Sequence, residues 1–344
     1  MTSNSLRKEQ HLHISLQEDL SPPENANGFD AYRFVHQALP ELDLDAIDLS
    51  VRFMGKTLSL PLMISPLVGG INKGREINRI LARVAQKRGI ALGVGSQRPA
   101  IEDPRLAKTY QIRDLAPDIL LFANLGAVQL NYGYGLEQCR AAVDMIDADG
   151  LMLHLNCMQE AFQPEGNCNF SGLAQAIARI CSQLDVPVLV REVGQGISAQ
   201  AAAKLIQAGV SGIDAAGCGG TSWIAVEGHR SPSQVQKKVA SQFKHWGICT
   251  ADALAMVRSQ SSQVPLIASG GITNGLEVAK SIALGADLAG IGLPMLKRAS
   301  LSERSLEAYM QEIGIGLKIA MFGIGAQNVQ QLKNTPYIQK AASP

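Results

Sequence analysis

Ten residues concentrate the chemistry of this chain: Leu151–Glu160, read LMLHLNCMQE. The stretch starts as an apolar strand (Leu151, Met152, Leu153, Leu155) and sets polar groups at alternate positions, His154 and Asn156. Side chains two apart on a strand face the same way, so these two look into one space. Gln159 and Glu160 follow at once in what reads as a loop. An imidazole, two amides and a carboxylate thus meet at the C-terminal end of one buried strand, where parallel α/β proteins bind ligands. Singly, each has a plainer reading as a satisfied core polar group or a solvated loop residue. Together they point to a site, because each buried polar group left unpaired costs about 1–3 kcal/mol.

Such groups need a scaffold. From Pro61 onward one unit recurs, a short apolar strand ending in small or polar residues and then an amphipathic helix. The pattern predicts strands at 62–66, 91–95, 119–124, 151–156, 188–193, 212–216, 266–269 and 288–292. Helices are predicted near 75–88, 103–113, 136–147, 172–184, 198–208, 250–259 and 275–284, with a last one after Leu301. Alternation with nearly continuous apolar strands means a parallel sheet. Eight units mean a single (β/α)8 TIM barrel, here over 61–344. The rival, a doubly wound open sheet, would carry an early G-x-G-x-x-G turn, and none follows the first strand. Residues 1–60 read as an N-terminal extension: a basic arm, a breaker-rich connector at 17–30 and a short hairpin around Gly55-Lys56. The connections at 156–172 and 217–249 exceed the usual length and read as lid-like insertions after strands 4 and 6, or alternatively as oligomer contacts.

Composition narrows the partners. With 344 residues, 46% of them hydrophobic, and a net charge of +1, the chain can bury a large core. It gives no electrostatic case for nucleic acid or an anionic membrane. Lys237-Lys238 reads as a solvated helix face. Six cysteines (139, 157, 168, 181, 218, 249) show no C-x-x-C pair and no zinc spacing, so they read as reduced thiols of a cytoplasmic protein. The N-terminus lacks the apolar core of a secretory signal. The apolar run 313–326 is short, glycine-containing and broken by Lys318, a buried helix rather than a membrane span.

The strand ends give a consistent inventory: Val68-Gly69-Gly70, then Ser96, Gln97 and Arg98, then Asn124, the strand-4 group, Arg191 and Glu192, Gly217–Thr221, Gly270–Thr273, and Gly292-Leu293. An arginine inside an apolar strand needs an anionic or electron-rich partner. Glu192 points to the opposite face, so a ligand is the expected partner of Arg191. Glycines after strands 6, 7 and 8, with Thr221 as hydroxyl donor, read as a phosphate site. Arg7, Lys8 and Arg98 form a second anion site, with His154 and Asn156 nearby. Glu160 could hold a divalent metal against a diphosphate. Two ligands are expected: a planar phosphorylated cofactor over Arg191 and an anionic substrate facing it.

RKEQH (7–11), GVGSQR (93–98), LLFANLG (120–126), HLNCMQE (154–160), VREVGQGIS (190–198), GCGGTSW (217–223), ASGGI (268–272) and KSIALGAD (280–287) carry a family likeness over essentially the whole chain. The chain resembles the type 2, flavin-dependent isopentenyl-diphosphate delta-isomerases, HLNxxQE being the most specific motif. The resemblance implies FMN over the barrel mouth, contacted by Pro66, Leu67, Val68, Ser96, Asn124, Arg191 and Thr221. Its phosphate would lie on Gly271, Ile272, Thr273, Gly292 and Leu293. It implies a substrate diphosphate at Arg7, Lys8, His11, Ser96, Gln97 and Arg98, beside His154 and Asn156, with Gln159 at the isoprenoid and Mg2+ on Glu160. Gln159, His154 and Arg191 would be the catalytic positions. The implied reaction converts isopentenyl diphosphate to dimethylallyl diphosphate without net redox change, the flavin being kept reduced by NADPH and serving as acid and base. A homo-oligomer, tetramer or octamer, is also implied.

Two positions depart from the family pattern. Leu67-Val68 stands for Met-Thr, and Arg191 stands for a lysine. Two other functions compete. One is an FMN oxidoreductase of the 2-hydroxy-acid oxidase or dihydroorotate dehydrogenase type, which would need a base such as His229 or His245 from the second insertion. The other is a non-catalytic barrel that senses isoprenoid precursors.

Overall fold

The computed structural model describes residues 3–18, 20 and 26–341. Eight parallel strands close into a barrel: Leu62–Ile64, Ala91–Gly93, Leu121–Gly126, Gly150–Leu155, Val188–Glu192, Gly212–Asp214, Leu266–Ser269 and Leu288–Ile291. The eighth pairs back onto the first, Ile291 opposite Ile64. All eight predicted strands are present, within one or two residues at most ends. Each is buried on both faces, which is why the runs read as continuously apolar.

The helices follow from the same patterning. In Asn72–Arg88 the buried residues Ile77, Leu81, Val84 and Ala85 form the inward stripe, and Gly89 at φ 59° ends the helix in the left-handed conformation. Two predictions fail in kind. Gln159 and Glu160, read as loop, lie in helix Cys157–Phe162. Residues 103–113 hold no α-helix; there is one α-turn at Arg98–Glu102 and a 3-10 helix at Pro104–Thr109. Pro104 has no N–H to continue a helix, and the Asp103 carboxylate caps the new turn at Arg105 N. The run at 313–326 lies mostly in helix Glu303–Phe322, but this helix is amphipathic: Ile313, Leu317 and Met321 are buried while Ile315 and Ile319 are exposed.

The hairpin at Gly55-Lys56 is present, Val51–Phe53 against Lys56–Leu58. Phe53 and Leu58 pack on Met63, Ala91, Phe122, Met152, Leu189, Ile267 and Leu288. These inward side chains fill the N-terminal end of the barrel, so the hairpin stoppers it. Only the other end is left open. There the arm forms helix Ser3–Gln17. The connector at 17–30 falls partly outside the described residues, namely 19 and 21–25. Its far end is built into the fold: Asn27 donates through Nδ2 to Gly271 O (3.0 Å) and Glu277 (2.8 Å).

Candidate functional site

At the open end lies a cavity of about 640 Å³. It is lined by Arg7, Lys8 and His11 of the arm, and by Pro66, Leu67, Val68, Ser96, Arg98, Asn124, His154, Asn156, Gln159, Glu160 and Arg191. Thr221, Gly271, Ile272, Thr273, Gly292 and Leu293 complete the predicted set. One predicted residue is not among them. Gln97 is fully buried in the barrel wall, where Nε2 donates to Ala142 O (2.8 Å) and Oε1 accepts from Asn124 N (2.9 Å). It braces the second strand end against the third and touches no ligand space.

His154 is held from the third strand. Its Nδ1 lies 2.8 Å from Asn124 Oδ1, and Asn124 Nδ2 donates to Val94 O (3.1 Å). The amide is therefore oriented oxygen-first, which puts the imidazole proton on Nδ1 and leaves Nε2 as an acceptor. Burial, with the charges of Arg191, Lys8 and Arg7, pushes the ring down to about 3, so His154 is neutral at physiological pH.

From Asn156 a connected polar chain runs outward. Its Nδ2 donates to Glu160 Oε1 (2.8 Å) and Gln159 Oε1 (3.3 Å). Glu160 Oε2 accepts from Asn167 N (2.6 Å), inside the first insertion. Gln159 Nε2 donates to Glu227 Oε1 (3.1 Å), which also meets His11 Nε2 (2.8 Å), while Arg230 holds Glu227 Oε2. Among the described residues, the buried Asn156 Oδ1 has no partner, and Asn156 lines the cavity.

Glu227 is the residue that the sequence reading missed here. It sits on helix Trp223–Arg230 in the second insertion, fully buried. Burial raises its carboxyl pKa, but the hydrogen bond from His11 and the charge of Arg230 outweigh that and hold it below the usual range. His11 is pushed down by burial, so Arg230 supplies the lasting compensating charge. A glutamate directly after the apolar run Trp223–Val226 was the available signal. Both insertions thus build the cavity wall, each with a short helix, Cys157–Phe162 and Trp223–Arg230. Trp223 also packs edge-on to His11, centroids 5.2 Å apart.

Arg191 has a partner that was not foreseen. Asp214, directly opposite it on the sixth strand, accepts from Nε at 3.2 Å. The expectation that a ligand would be the partner of Arg191 is corrected at Nε: neighbouring parallel strands in register bring the two inward side chains together. Glu192 does face away, and its carboxylate accepts the N–H groups of Val193, Gly194 and Gln195. Burial nevertheless pushes it up to about 7.

The glycine loops interlock. Gly270 sits at φ 104°, and a Cβ there would lie 2.1 Å from Gly217 O; one on Gly271 (φ 79°) would lie 2.2 Å from Gly219 O. Two backbones pass at contact distance, leaving peptide groups to line the cavity. Beside them Tyr309 donates to Thr273 O (2.7 Å), and Arg298 stands 5.5 Å over its ring. Both line the cavity, and both were missed because they lie on helices after the eighth strand.

The arrangement therefore offers two anion sites in one cavity. One is the backbone cradle of the late loops. The other is Arg7, Lys8 and Arg98, from two separate segments. Burial and Arg7 push Lys8 down to about 7, a cation in want of a counter-charge. Among the described residues no group of three or more His, Cys, Asp or Glu could hold a metal. A metal at Glu160 would take most of its ligands from a bound diphosphate and water. His229 and His245 are both exposed and outside the cavity, so the oxidoreductase reading finds no base there.

Residues 8–106 and 146–340 match the family described as FMN-dependent dehydrogenase. Proteins named isopentenyl-diphosphate delta-isomerase are similar throughout: one from Nostoc sp. is 48% identical, covering 97% of this chain and 95% of its own length. One from Synechocystis sp. is 49% identical over 98% and 96%, and one from Rickettsia africae 44% identical over 95% of each. Among solved structures, an (S)-mandelate dehydrogenase mutant aligns with TM-score 0.68 at 19% identity, covering 98% of this chain and 97% of its own. A lactate oxidase of Pediococcus acidilactici aligns with TM-score 0.64 at 18% identity over 99% and 94%. At those identities the likeness is one of fold.

Proposed function

The chain belongs to the type 2, flavin-dependent isopentenyl-diphosphate delta-isomerase family, and from that premise we propose that it converts isopentenyl diphosphate to dimethylallyl diphosphate. The observation that carries the reading is the pairing, within one cavity, of a backbone phosphate cradle with a cluster of three side-chain cations. The residues fit FMN: among the described residues the buried Ser65 Oγ on the cavity wall has no partner, and the interlocked glycines present peptide groups to a phosphate. Reduced FMN, when bound, supplies the acid and base at the allylic carbons.

The chain's own residues do the rest. Arg7, Lys8 and Arg98 bind the diphosphate, and Glu160 would hold Mg2+ beside it. Neutral His154 gives an acceptor at Nε2 and adds no charge of its own. Gln159, fixed by Asn156 and Glu227, orients the isoprenoid end. Glu227 is a buried carboxylate one hydrogen bond from that amide, able to stabilise positive charge developing on the substrate. The arm helix and Trp223 exclude water from above.

We extend the reading to NADPH as the reductant, to a cytoplasmic setting and to a tetramer or octamer. The six cysteines are free thiols, and no helix among the described residues is long and apolar enough to cross a membrane. The exposed Ile315 and Ile319 support assembly. An anaerobic assay for dimethylallyl diphosphate with FMN, Mg2+ and NADPH, each omitted in turn, tests the function. Product should need all three; turnover of a 2-hydroxy acid with no isomerisation would replace this reading with the oxidoreductase one.

A further inference from the structure

Three consecutive strands place a polar ladder beneath the cavity. Arg191, Asp214 and Ser269 come from strands 5, 6 and 7, and all three side chains point inward. Asp214 Oδ2 takes Arg191 Nε at 3.2 Å, and Asp214 Oδ1 takes the Ser269 hydroxyl at 2.6 Å. Asp214 has no exposed surface. Arg191 lines the cavity, and among the described residues its two terminal nitrogens have no hydrogen-bond partner. Across the barrel mouth the buried Ser65 hydroxyl, also on the cavity wall, likewise has no partner among the described residues.

The geometry is directional. A guanidinium is a rigid fork with donors on Nε and on both terminal nitrogens. Fastened by Nε from below, it must show its remaining donors upward. A lysine has a single nitrogen on a flexible stem and cannot be tethered from beneath while offering a planar pair above. The carboxylate also sets the local field, since it lies on the side of the guanidinium away from the cavity and offsets much of its charge.

We propose that Asp214 is a positioning residue for the flavin site: it holds the Arg191 fork with two nitrogens free for the electron-rich edge of the ring, and its charge sets the preference for reduced over oxidised flavin. This rests on the flavin reading above. Reduction adds negative charge to the ring, so removing the Asp214 charge while keeping its shape favours the reduced form. Asp214→Asn does that, because the amide oxygen still accepts from Nε and the Ser269 hydroxyl can turn to accept from the amide nitrogen.

The test measures flavin affinity and bound-flavin midpoint potential in the purified full chain, the parent against Asp214→Asn, Asp214→Ala and Arg191→Lys. Asp214→Asn should raise the affinity for reduced over oxidised flavin about tenfold, seen as a potential about 30 mV more positive for a two-electron couple. Asp214→Ala should in addition weaken flavin binding about tenfold, since the fork is no longer held. If Asp214→Ala does not fold, the cycle of Arg191→Lys, Asp214→Asn and the double variant decides. Shifts in potential that are coupled support the proposal, and additive ones overturn it. Folded variants whose potential and affinity stay within twofold of the parent overturn it while leaving the flavin reading intact. A parent chain that takes up no flavin overturns both.

Discussion

The two halves of the cavity are built on different plans. On the side of strands 5 to 8, the anion site is made of peptide groups held by interlocked loops, and its arginine is already paired with Asp214. On the side of the arm and strands 2 to 4, the anion site is made of long side chains. Among the described residues Lys8 there has no acidic partner and Arg7 reaches Glu165 at 4.0 Å, while Arg98 at the rim is paired with Glu102 at 2.8 Å. A ligand that stays can be met by fixed backbone whose charges are settled in its absence. A ligand that comes and goes is better met by cations that lie uneasy without it, because that unrelieved repulsion turns into affinity on binding. The difference agrees with the proposed division into a cofactor side and a substrate side.

The comparison breaks most visibly at Gln159. Gln159→Ala should lower kcat by roughly 10²–10³-fold, the scale of losing one preorganised polar group. Inorganic diphosphate affinity by calorimetry and the bound-flavin spectrum should hardly move. A variant that loses flavin instead would show that the two sides are not separable. Next come Arg7→Ala and Lys8→Ala. Each should weaken diphosphate binding by roughly 10- to 100-fold, from about 1.5–3 kcal/mol per hydrogen bond to a charged group. Flavin affinity should stay within twofold, and an equal loss for both ligands would contradict the division.

How much of this was legible in the sequence follows the same line. The barrel was, because eight apolar runs buried on both faces leave little other choice, and strand-end reading grouped His154, Asn156, Gln159 and Glu160, which line one cavity. Gln97 was misplaced because it is adjacent in sequence to Ser96 and Arg98, and neighbours at a strand end point in different directions. Asp214 was in plain view, an acid in the apolar strand next to that of Arg191, but recognising the pair requires the register between two strands. Glu227 requires more, since its partners lie 216 and 68 residues away. Contacts carried by long loops leave no periodic trace. The helix misread at 103–113 had its warning in Asp103-Pro104.

A smaller effect concerns pH. Lys8 sits at about 7 in the folded chain, below the ordinary 10.5. Its burial therefore costs stability below about pH 7, and the cost is relieved as pH rises toward 10. A bound diphosphate favours the charged form, so binding above pH 7 must take up a proton. Affinity should fall about fivefold from pH 7 to 8, with proton uptake visible by calorimetry in buffers of different ionisation enthalpy. The Arg7 guanidinium stays charged over this range, and His11 and Glu227 are bonded to each other. The slope should accordingly vanish in Lys8→Met; a slope that persists there assigns it to the ligand or to another group.

The smallest effect probes the cofactor side from its rim. Arg298 is exposed, stacked on Tyr309, and tied through that ring to Thr273 of the phosphate loop. Among the described residues it has no carboxylate partner, so it is the side-chain cation nearest in kind to the substrate cluster on the opposite rim. An exposed ion pair contributes at most about 1 kcal/mol. Arg298→Ala should therefore weaken flavin binding by up to about fivefold, more at low salt than at high salt. Diphosphate affinity should be unchanged. Tyr309→Phe should act alike, since the hydroxyl that anchors the stack to Thr273 is gone. A loss of diphosphate affinity in either variant would place a substrate cation on the cofactor side and dissolve the contrast between the two plans.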